Sequence, residues 1–371
     1  MISCVRRMLA YNAPMDNLHT HTLPFGIESY DLNEIEQLVA ELGLPRFRNK
    51  QLVQWLYGHA VVSYNDMSNL PAKMREALAQ KAPLNIPEVK DKQVSRDGSR
   101  KYVLALADGA QVETVGIPST ETNTEGAPKR LTVCFSTQVG CAMECAFCAT
   151  GKEGFSRNLY PGEMVQQILT VQRDFEMRVS NVVAMGQGEP FLNYHNLVEA
   201  LHIINHKDCL NIGARHITVS TCGILDAIAR FGEEPEQYTL AISLHSARQG
   251  IRDSLMPRCK GMPLQQLKSS LRDYYLNSKR RPSLEYLMIK DVNDAEIDLD
   301  ALLAFCEGLN VHINLIPLNN IDDSPWIPST KETMQHWIQV LNEQGIESTI
   351  RNSRGSDIAG ACGQLKNSLS K

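Results

Sequence analysis

The hydrophobic positions near the N-terminus recur at helical spacing. The clearest stripe consists of Leu32, Ile35, Leu38, Val39 and Leu42. Asp31 and Glu34 have the spacing of a capping box at the start of this helix. A second helix is predicted around Leu52, Trp55 and Leu56, and a third is predicted to begin near Pro71. We expect a small all-helical accessory domain over residues 29–88, which docks on the rest of the chain because it is too small to fold alone.

Beyond residue 130, short apolar runs alternate with amphipathic segments. The predicted strands are 131–136, 181–185, 216–220, 239–244, 284–289, 312–316 and 347–350, and the predicted helices are 162–173, 194–204, 264–276 and 329–342. This alternation predicts an α/β fold with parallel strands, whose carboxyl ends carry the chemistry. Residues 89–130 are predicted as a β-hairpin linker that turns at Asp108-Gly109, and residues 1–28 as a disordered lead-in.

The composition is that of a folded protein without a membrane segment. Of 371 residues, 43% are hydrophobic and 21% are charged, and no apolar run approaches the ~20 residues of a membrane helix. With no secretory leader, we expect a cytoplasmic protein. The net charge of −5 excludes RNA binding by bulk charge. Local basic stretches remain, at 90–101 and 279–281, although such runs are more often solvated faces.

Three of the ten cysteines are closely spaced. Cys141, Cys145 and Cys148 form a C-x3-C-x2-C motif in the loop after a predicted strand. Three thiolates can hold three irons of a cubane cluster and leave the fourth iron open for a ligand. A zinc site is the alternative, but zinc motifs usually contain a second cysteine or histidine pair, and the motif has none nearby.

Polar and small residues follow several of the later predicted strands. They are Gly188, Glu189 and Pro190 after one strand, Ser220 after the next, then Ser243, Leu244 and His245, and finally Asn319. A glycine-rich turn lets the backbone approach a ligand, and a carboxylate accepts hydrogen bonds from an ammonium group. Each residue alone is typical of an ordinary loop, but together they predict a ring around one site.

The cysteine motif, with Phe147 before its last cysteine, resembles the radical S-adenosylmethionine (SAM) superfamily. Four stretches narrow the resemblance to the RlmN/Cfr family of RNA methyltransferases: 134–141, 154–159, 241–245 and 354–365. The resemblance implies a partial (β/α)6-type radical SAM barrel over residues 131–366. It also implies one [4Fe–4S] cluster on the three cysteines and a SAM-binding role for the ring of strand-end residues.

The resemblance further implies methylation of adenine C2 in 23S rRNA and in tRNA, with two SAM molecules used per turnover. Cys362 matches the cysteine that carries the methyl group, Cys134 the cysteine that resolves the RNA–protein link, and Glu113 the base that takes the C2 proton. An external donor such as flavodoxin or a ferredoxin is implied, and we expect a monomer. Two alternatives remain: methylation at adenine C8, as in Cfr, and a non-enzymatic, zinc-stabilised RNA-binding protein.

Several arginines and lysines are candidate RNA contacts. They are Arg46, Arg48 and Lys50 in the helical region, the basic stretch 90–101, and Arg157 and Arg354 near the predicted site. The base to be modified must be unstacked, which folded or single-stranded RNA allows more easily than a duplex.

Overall fold

Three helices form the N-terminal unit in a computed structural model that describes residues 26–321 and 324–367. They are α1 (Leu32–Glu41), α2 (Phe47–Val53) and α3 (Ala72–Lys81), and α2 continues into a π-helical turn, Gln54–Gly58. The predicted capping box of α1 is confirmed, because Asp31 accepts from the Glu34 amide at 2.7 Å and Glu34 accepts from the Asp31 amide at 2.8 Å.

Ten strands form one large sheet in the order β1-β2-β3-β4-β7-β8-β9-β10-β11-β12, and β5 and β6 form a separate hairpin. The strands are β1 (Glu88–Val94), β2 (Arg100–Ala105), β3 (Gln111–Pro118), β4 (Leu131–Cys134), β5 (Gln138–Gly140), β6 (Phe155–Asn158), β7 (Asn181–Ala184), β8 (Ile217–Thr221), β9 (Thr239–Ser243), β10 (Ser283–Met288), β11 (His312–Pro317) and β12 (Ser348–Ile350). Neighbouring strands from β4 to β12 are parallel, which confirms the predicted α/β class.

The region predicted as a hairpin linker is part of this sheet. The predicted hairpin is present as β2 and β3, but β1 precedes it, and β3 pairs antiparallel with β4, with Val115 opposite Cys134. The linker interpretation of residues 89–130 was therefore wrong for β1, β2 and β3, because their backbone hydrogen bonds extend the same sheet that contains the parallel strands. Local turn signals predict a hairpin but cannot show which sheet edge it joins.

Helices connect the parallel strands. They are α4 (Ala149–Glu153), α5 (Pro161–Phe175), α6 (Tyr194–Asn205), α7 (Leu225–Glu233), α8 (Gln249–Leu255), α9 (Leu264–Ser278), α10 (Glu296–Cys306) and α11 (Lys331–Glu343). Four of the longer ones, α5, α6, α9 and α11, were predicted from their periodicity. Trp337 of α11 is fully buried and packs on Tyr286 of β10, with ring centroids 5.2 Å apart. Among the described helices, none has the length and apolar character that crossing a membrane requires.

The N-terminal unit docks on α5 through polar contacts. Ser29 Oγ accepts from the Gly162 amide at 3.0 Å, and the buried Glu28 carboxylate accepts from Gln166 Nε2 at 2.9 Å. Ile27 is fully buried beside them. The predicted lead-in, 1–28, therefore includes residues that pack within the fold, and its remainder, 1–25, lies outside the described residues.

Candidate active site

The cysteine motif occupies the loop between β5 and α4, at the carboxyl edge of the barrel sheet. The Cys141 amide donates to the Gly154 carbonyl at 2.8 Å, and the Cys148 amide donates to the Cys145 carbonyl at 3.0 Å. Gly140 has φ +73°, and a Cβ there would lie 2.0 Å from the Gly154 oxygen. Only glycine fits this close approach, so the β5–β6 hairpin fixes where the loop begins.

The three thiols fit an iron–sulfur cluster better than a single zinc ion. Cys141, Cys145 and Cys148 line one cavity. Their sulfurs do not all lie within 4.8 Å of one another; across the described residues, the only set of three potential ligand side chains that is so compact is His202, Glu234 and Glu236. Sulfurs around one tetrahedral zinc lie about 3.8 Å apart at a zinc–sulfur distance of about 2.3 Å. A cubane cluster, with one thiolate on each of three irons, suits wider spacing.

Burial keeps these thiols protonated when no metal is bound. Desolvation raises the pKa of Cys141 to about 12, and it also raises the pKa values of Cys145 and Cys148. The neighbouring thiols contribute to the same direction of shift. A cationic iron centre reverses this balance, because it stabilises the thiolate form. Cluster binding is therefore expected to release protons.

Glu189 is fixed in the wall of the same cavity. Its carboxylate accepts from the Phe191 amide at 3.0 Å and from the Cys222 amide at 2.8 Å. Burial nevertheless raises the pKa of this carboxyl group. Gly188 has φ +105°, and a Cβ there would lie 2.6 Å from the Gln138 side chain. The glycine turn thus places a buried carboxylate where it can accept hydrogen bonds from a bound ammonium group.

The other predicted strand-end residues divide into two groups. Pro190, Ser220, Ser243, His245 and Asn319 line the cavity, and the two serine hydroxyls lie 3.4 Å apart. Leu244 is fully buried in the main hydrophobic core instead, so its side chain is not in the predicted ring. The sequence could not show this, because neighbouring residues at a strand end point in opposite directions.

His245 is a neutral, fixed ring in this wall. Burial, together with the positive charge of Arg252, lowers the pKa of His245 to about 3. Its Nδ1 accepts from the Leu287 amide at 3.1 Å, and its ring meets Phe147 edge-on at 4.7 Å. Phe147 is the aromatic residue of the cysteine motif, so this contact joins the cysteine loop to the end of β9.

Arg252 is a site residue that the sequence analysis missed. Its guanidinium is 1% exposed and donates to the carbonyls of Ser243 and Leu244 at 2.8 Å each, and to that of Cys222. It therefore holds together the carboxyl ends of β8 and β9. No local motif marks this residue, because its partners come from two other segments of the chain.

Replacing Arg252 by lysine is expected to lower the free energy of unfolding by about 3 kcal/mol, because one ammonium group cannot reach all three carbonyls and hydrogen bonds to charged groups contribute about 1.5–3 kcal/mol each. Urea unfolding of the protein measures the change. Arg272→Lys, on the exposed face of α9, is the matched control and should change stability by less than about 0.5 kcal/mol. Equal losses in the two variants would contradict the bridging role.

Cys134 and Cys362 lie beside a second cavity of about 260 Å³. Cys134 ends β4 and is buried, whereas Cys362 is exposed in the C-terminal segment. Burial, with a smaller contribution from the nearby Cys362 thiol, raises the pKa of Cys134 to about 12. The two cavities share part of their lining: Cys148, Thr150, Met185, Gly186, Ile316, Asn319, Arg351, Cys362 and Gly363. Cys362 thus stands between the cysteine loop and Cys134.

Glu113, the predicted base, lines neither of these cavities. It is fully buried beside Lys101, whose Nζ lies 3.1 Å from its carboxylate, and it accepts from the Lys366 amide at 2.8 Å. Burial raises the pKa of Glu113, and Lys101 opposes this shift. The C-terminal segment therefore covers the carboxylate in this conformation.

Removing the positive charge of Lys101 by Lys101→Met is expected to destabilise the fold by about 3–5 kcal/mol at neutral pH, because it leaves a buried carboxylate without its partner. Without Lys101 the pKa of Glu113 rises further, so the folded state holds a proton that the unfolded state releases. Stability of the variant should therefore fall as the pH rises above the ordinary carboxyl pKa.

Urea unfolding at about pH 5 and about pH 8 tests this dependence. The double variant Lys101→Met/Glu113→Gln removes the carboxylate and is expected to lose most of the added pH dependence. If the single and double variants respond to pH alike, Glu113 is not the group that Lys101 stabilises.

Most of the predicted RNA-contact cations have acidic partners within the protein. Lys92 and Arg100 both pair with Asp174, and Lys90 pairs with Glu88. Three predicted contacts elsewhere are also paired: Arg157 with Asp108 and Glu163, Arg354 with Asp97, and Arg46 with Glu36. Local charge alone therefore does not single these residues out as phosphate contacts.

Two family models match the chain. The radical SAM superfamily model matches residues 135–303, and a model for the N-terminal domain of ribosomal RNA large subunit methyltransferases matches residues 27–84. The first covers the cysteine loop and the barrel strands through α9 and most of α10. The second covers the helical unit. Members of the superfamily use a [4Fe–4S] cluster and SAM.

Similar proteins extend over nearly the whole chain. A probable dual-specificity RNA methyltransferase RlmN from Clostridium novyi (strain NT) is 40% identical over 341 residues, which are 92% of this chain and 97% of the relative. One from Nostoc punctiforme is 42% identical over 333 residues, covering 90% and 91% of the two chains. A solved radical SAM methyltransferase from Sphaerobacter thermophilus superposes with a TM-score of 0.87 at 38% identity, over 93% of this chain and all of that one. The chain belongs to the RlmN family of radical SAM RNA methyltransferases.

Proposed function

We propose that this chain methylates C2 of adenosine in 23S rRNA and in tRNA, with Cys362 as the carrier of the methyl group. The observation that carries this proposal is the position of Cys362, where the cavity lined by the three cluster cysteines meets the cavity lined by Cys134. A thiol in this position can exchange groups with ligands on both sides. The similar proteins from Clostridium novyi and Nostoc punctiforme, described as dual-specificity RNA methyltransferases, support the two RNA substrates.

A carrier is needed because adenine C2 is an electrophilic carbon without a nucleophilic lone pair. Cys362 takes the methyl group of one SAM molecule on its sulfur, and a second SAM is consumed in activating that methyl group. Asn319 Nδ2 donates to the Cys362 carbonyl at 3.2 Å, and the Ala149 amide donates to the Gly363 carbonyl at 2.7 Å. These contacts hold the carrier residue against the cysteine loop.

Cys141, Cys145 and Cys148 are the proposed cluster ligands, and Glu189 the acceptor for the ammonium group of SAM. When bound, the cluster supplies the single electron that cleaves SAM reductively. Ser220, Ser243, His245 and Asn319 line the remaining wall and orient the ligand by hydrogen bonds and contact. We propose flavodoxin or a ferredoxin as the source of the electron.

Cys134 releases the product from the carrier. Once the carried carbon is bonded to C2, the Cys134 sulfur attacks the Cys362 sulfur; the sulfur–sulfur bond forms and the sulfur–carbon bond to the RNA breaks. The carbon keeps the electron pair of the broken bond and takes up a proton to complete the methyl group, while Glu113 removes the C2 proton and the odd electron of the adduct passes back to the redox partner. In this conformation the Lys366 amide donates a hydrogen bond to the Glu113 carboxylate. Proton transfer to Glu113 therefore requires the C-terminal segment to shift. A dithiol reductant then restores the two thiols.

Replacing Cys134 by alanine is expected to stop the reaction with RNA still bonded to Cys362, because no second thiol can displace the carbon. The assay incubates the reconstituted enzyme with tRNA, SAM and reductant, and measures the RNA–protein adduct on a denaturing gel. We expect the adduct in a large fraction of the chains and at least about a hundredfold less free product than with the unchanged protein.

Cys306→Ala is the matched control, because Cys306 is also a buried thiol but lies in the main core. Mass spectrometry of nucleosides from the unchanged protein identifies the product. Free product from Cys134→Ala without an adduct would contradict the carrier pathway. 8-Methyladenosine in place of 2-methyladenosine would instead support the alternative activity at C8.

We infer that the helical accessory domain, residues 29–88, helps to hold the RNA, while residues 131–366 form the catalytic core. Two lysines on its surface, Lys50 and Lys73, are exposed and form no salt bridge within the described part of the chain. The unit is docked on α5 through hydrogen bonds at Glu28 and Ser29, on the same chain as the barrel that would receive the RNA base. We propose that the enzyme acts as a monomer in the cytoplasm.

A further inference from the structure

Two cysteines outside the proposed reaction are in contact with each other. Cys222 follows β8, and Cys259 ends the short 3-10 turn Pro257–Cys259 after α8. Both are buried, at 4% and 0% exposure. The Cys259 Sγ lies 3.9 Å from the Cys222 carbonyl oxygen, both side chains belong to one buried cluster, and each thiol shifts the pKa of the other. The sequence analysis assigned neither residue a role, because they are far apart along the chain.

Arg252 holds the two segments that carry this thiol pair together. It donates to the Cys222 carbonyl, and its Nη1 lies 3.8 Å from the Met256 sulfur. The Cys259 amide in turn donates to the Met256 carbonyl at 2.9 Å. Both cysteine backbones are therefore anchored, directly or through Met256, to one buried side chain, and the fold keeps the two sulfurs near each other.

A small reagent can reach this pair through the SAM cavity. Cys222 lines that cavity together with Glu189, whereas Cys259 is not a lining residue. Two other buried cysteines, Cys209 and Cys306, lie in the main hydrophobic core. No other thiol contributes to the pKa shift of either one. The Cys222–Cys259 pair thus differs from Cys209 and Cys306 in two ways: each of its thiols has another thiol nearby, and the pair borders a cavity that a small reagent can enter.

We propose that Cys222 and Cys259 are a redox-active dithiol that closes to a disulfide when a low-molecular-weight disulfide enters the SAM cavity. Cys222 attacks the reagent, forms a mixed disulfide and releases one small thiol. Cys259 then attacks Cys222, which releases the second small thiol. Two protein thiols are oxidised, one reagent disulfide is reduced, and the two protons leave with the two small thiols.

Formation of the disulfide is expected to move Cys222, whose backbone amide is hydrogen-bonded to Glu189. The sulfurs must approach to about 2.05 Å, which requires the two side chains to rotate or their backbone segments to shift. The Cys222 amide donates to the Glu189 carboxylate at 2.8 Å, so movement at Cys222 disturbs that carboxylate. We expect SAM to bind at least threefold more weakly to the oxidised protein. This second effect rests on the proposed function of Glu189 in SAM binding.

The test treats the anaerobic holoenzyme with cystamine, alkylates the remaining thiols, and maps the digest by mass spectrometry. The expected product is a cross-linked peptide pair that joins Cys222 to Cys259 and is two hydrogens lighter than the separate peptides, while Cys306 stays alkylated. Alkylation of both Cys222 and Cys259, or a cross-link from either residue to Cys145, would overturn the proposal. This readout does not depend on SAM binding, so it stands or fails separately from the proposed function.

Cys259→Ser is the diagnostic variant and Cys306→Ser its control. In Cys259→Ser, Cys222 is expected to keep the cysteamine adduct, because the resolving thiol is missing. Cys306→Ser should still form the cross-link. Equilibrium dialysis with labelled SAM should show weaker binding after oxidation of the unchanged protein and recovery after dithiothreitol. Unchanged SAM affinity in the cross-linked protein would overturn the link to Glu189.

Discussion

Replacing Cys362 by alanine is expected to abolish RNA methylation, with a loss on the order of 10³-fold or more, because the variant has no sulfur on which to carry the methyl group. Cys362 is the exposed thiol at the boundary of the two cavities, and the other described cysteines are buried or half-buried. The measurement is 2-methyladenosine formed in tRNA by the reconstituted enzyme, determined by mass spectrometry of nucleosides.

The same variant should keep its cluster and cleave SAM without coupling to RNA, because Cys141, Cys145 and Cys148 remain in place. That residual cleavage separates loss of the carrier from loss of the fold. Cys209→Ala, which removes a thiol from the main core, is the control and should retain methylation. Formation of 2-methyladenosine by Cys362→Ala at a rate similar to that of the control would refute Cys362 as the carrier.

Replacing Cys145 by alanine is expected to remove the cluster and with it both SAM cleavage and methylation. Two remaining thiolates, Cys141 and Cys148, cannot hold three irons, and Cys145 is the middle ligand of the loop. Iron should fall from about four atoms per chain to fewer than about one after anaerobic reconstitution, and the brown colour should be lost. Iron analysis and the visible absorption spectrum measure this effect.

Cys222→Ala is an informative control for this experiment, because Cys222 lines the same cavity but is not a proposed ligand. It should retain about four irons per chain. A Cys145→Ala protein that still binds a full cluster would show that another cavity thiol can replace the ligand. If the protein without substitutions were colourless and bound one zinc ion, the result would instead support the alternative of a zinc-stabilised RNA-binding protein.

Elements with a strong local pattern were predicted well from the sequence. The capping box at Asp31 and Glu34 is formed, and the predicted strands from 131 onward all occur in the parallel part of the sheet. The short helices α4 and α8 were not predicted, since five to seven residues show too little of a helical period. The strand β1 was missed because it carries many charged residues and is mostly exposed.

How well each site residue could be predicted depended on whether its sequence signal lies within a few consecutive residues. The three-cysteine loop and the Gly188–Glu189 turn are continuous in sequence, so they could be recognised as candidate site segments, and the family resemblance then implied their roles. Leu244 was placed wrongly in the ring, because the direction of a side chain at a strand end is set by the sheet. Gln187 precedes the Gly188–Glu189 turn and no local signal marked it, yet it is fully buried and its side chain accepts from the Glu113 amide at 3.0 Å.

By itself the sequence determined the alternation of strands and helices and the cysteine spacing, because periodicity and ligand spacing act over a few residues. Only the tertiary structure decided which distant groups meet: Cys134 with Cys362, Arg252 with the ends of β8 and β9, and Lys101 with Glu113. Such contacts depend on strand order and on the packing of the C-terminal segment across the sheet. These are properties of the whole folded chain, which short stretches of sequence do not encode.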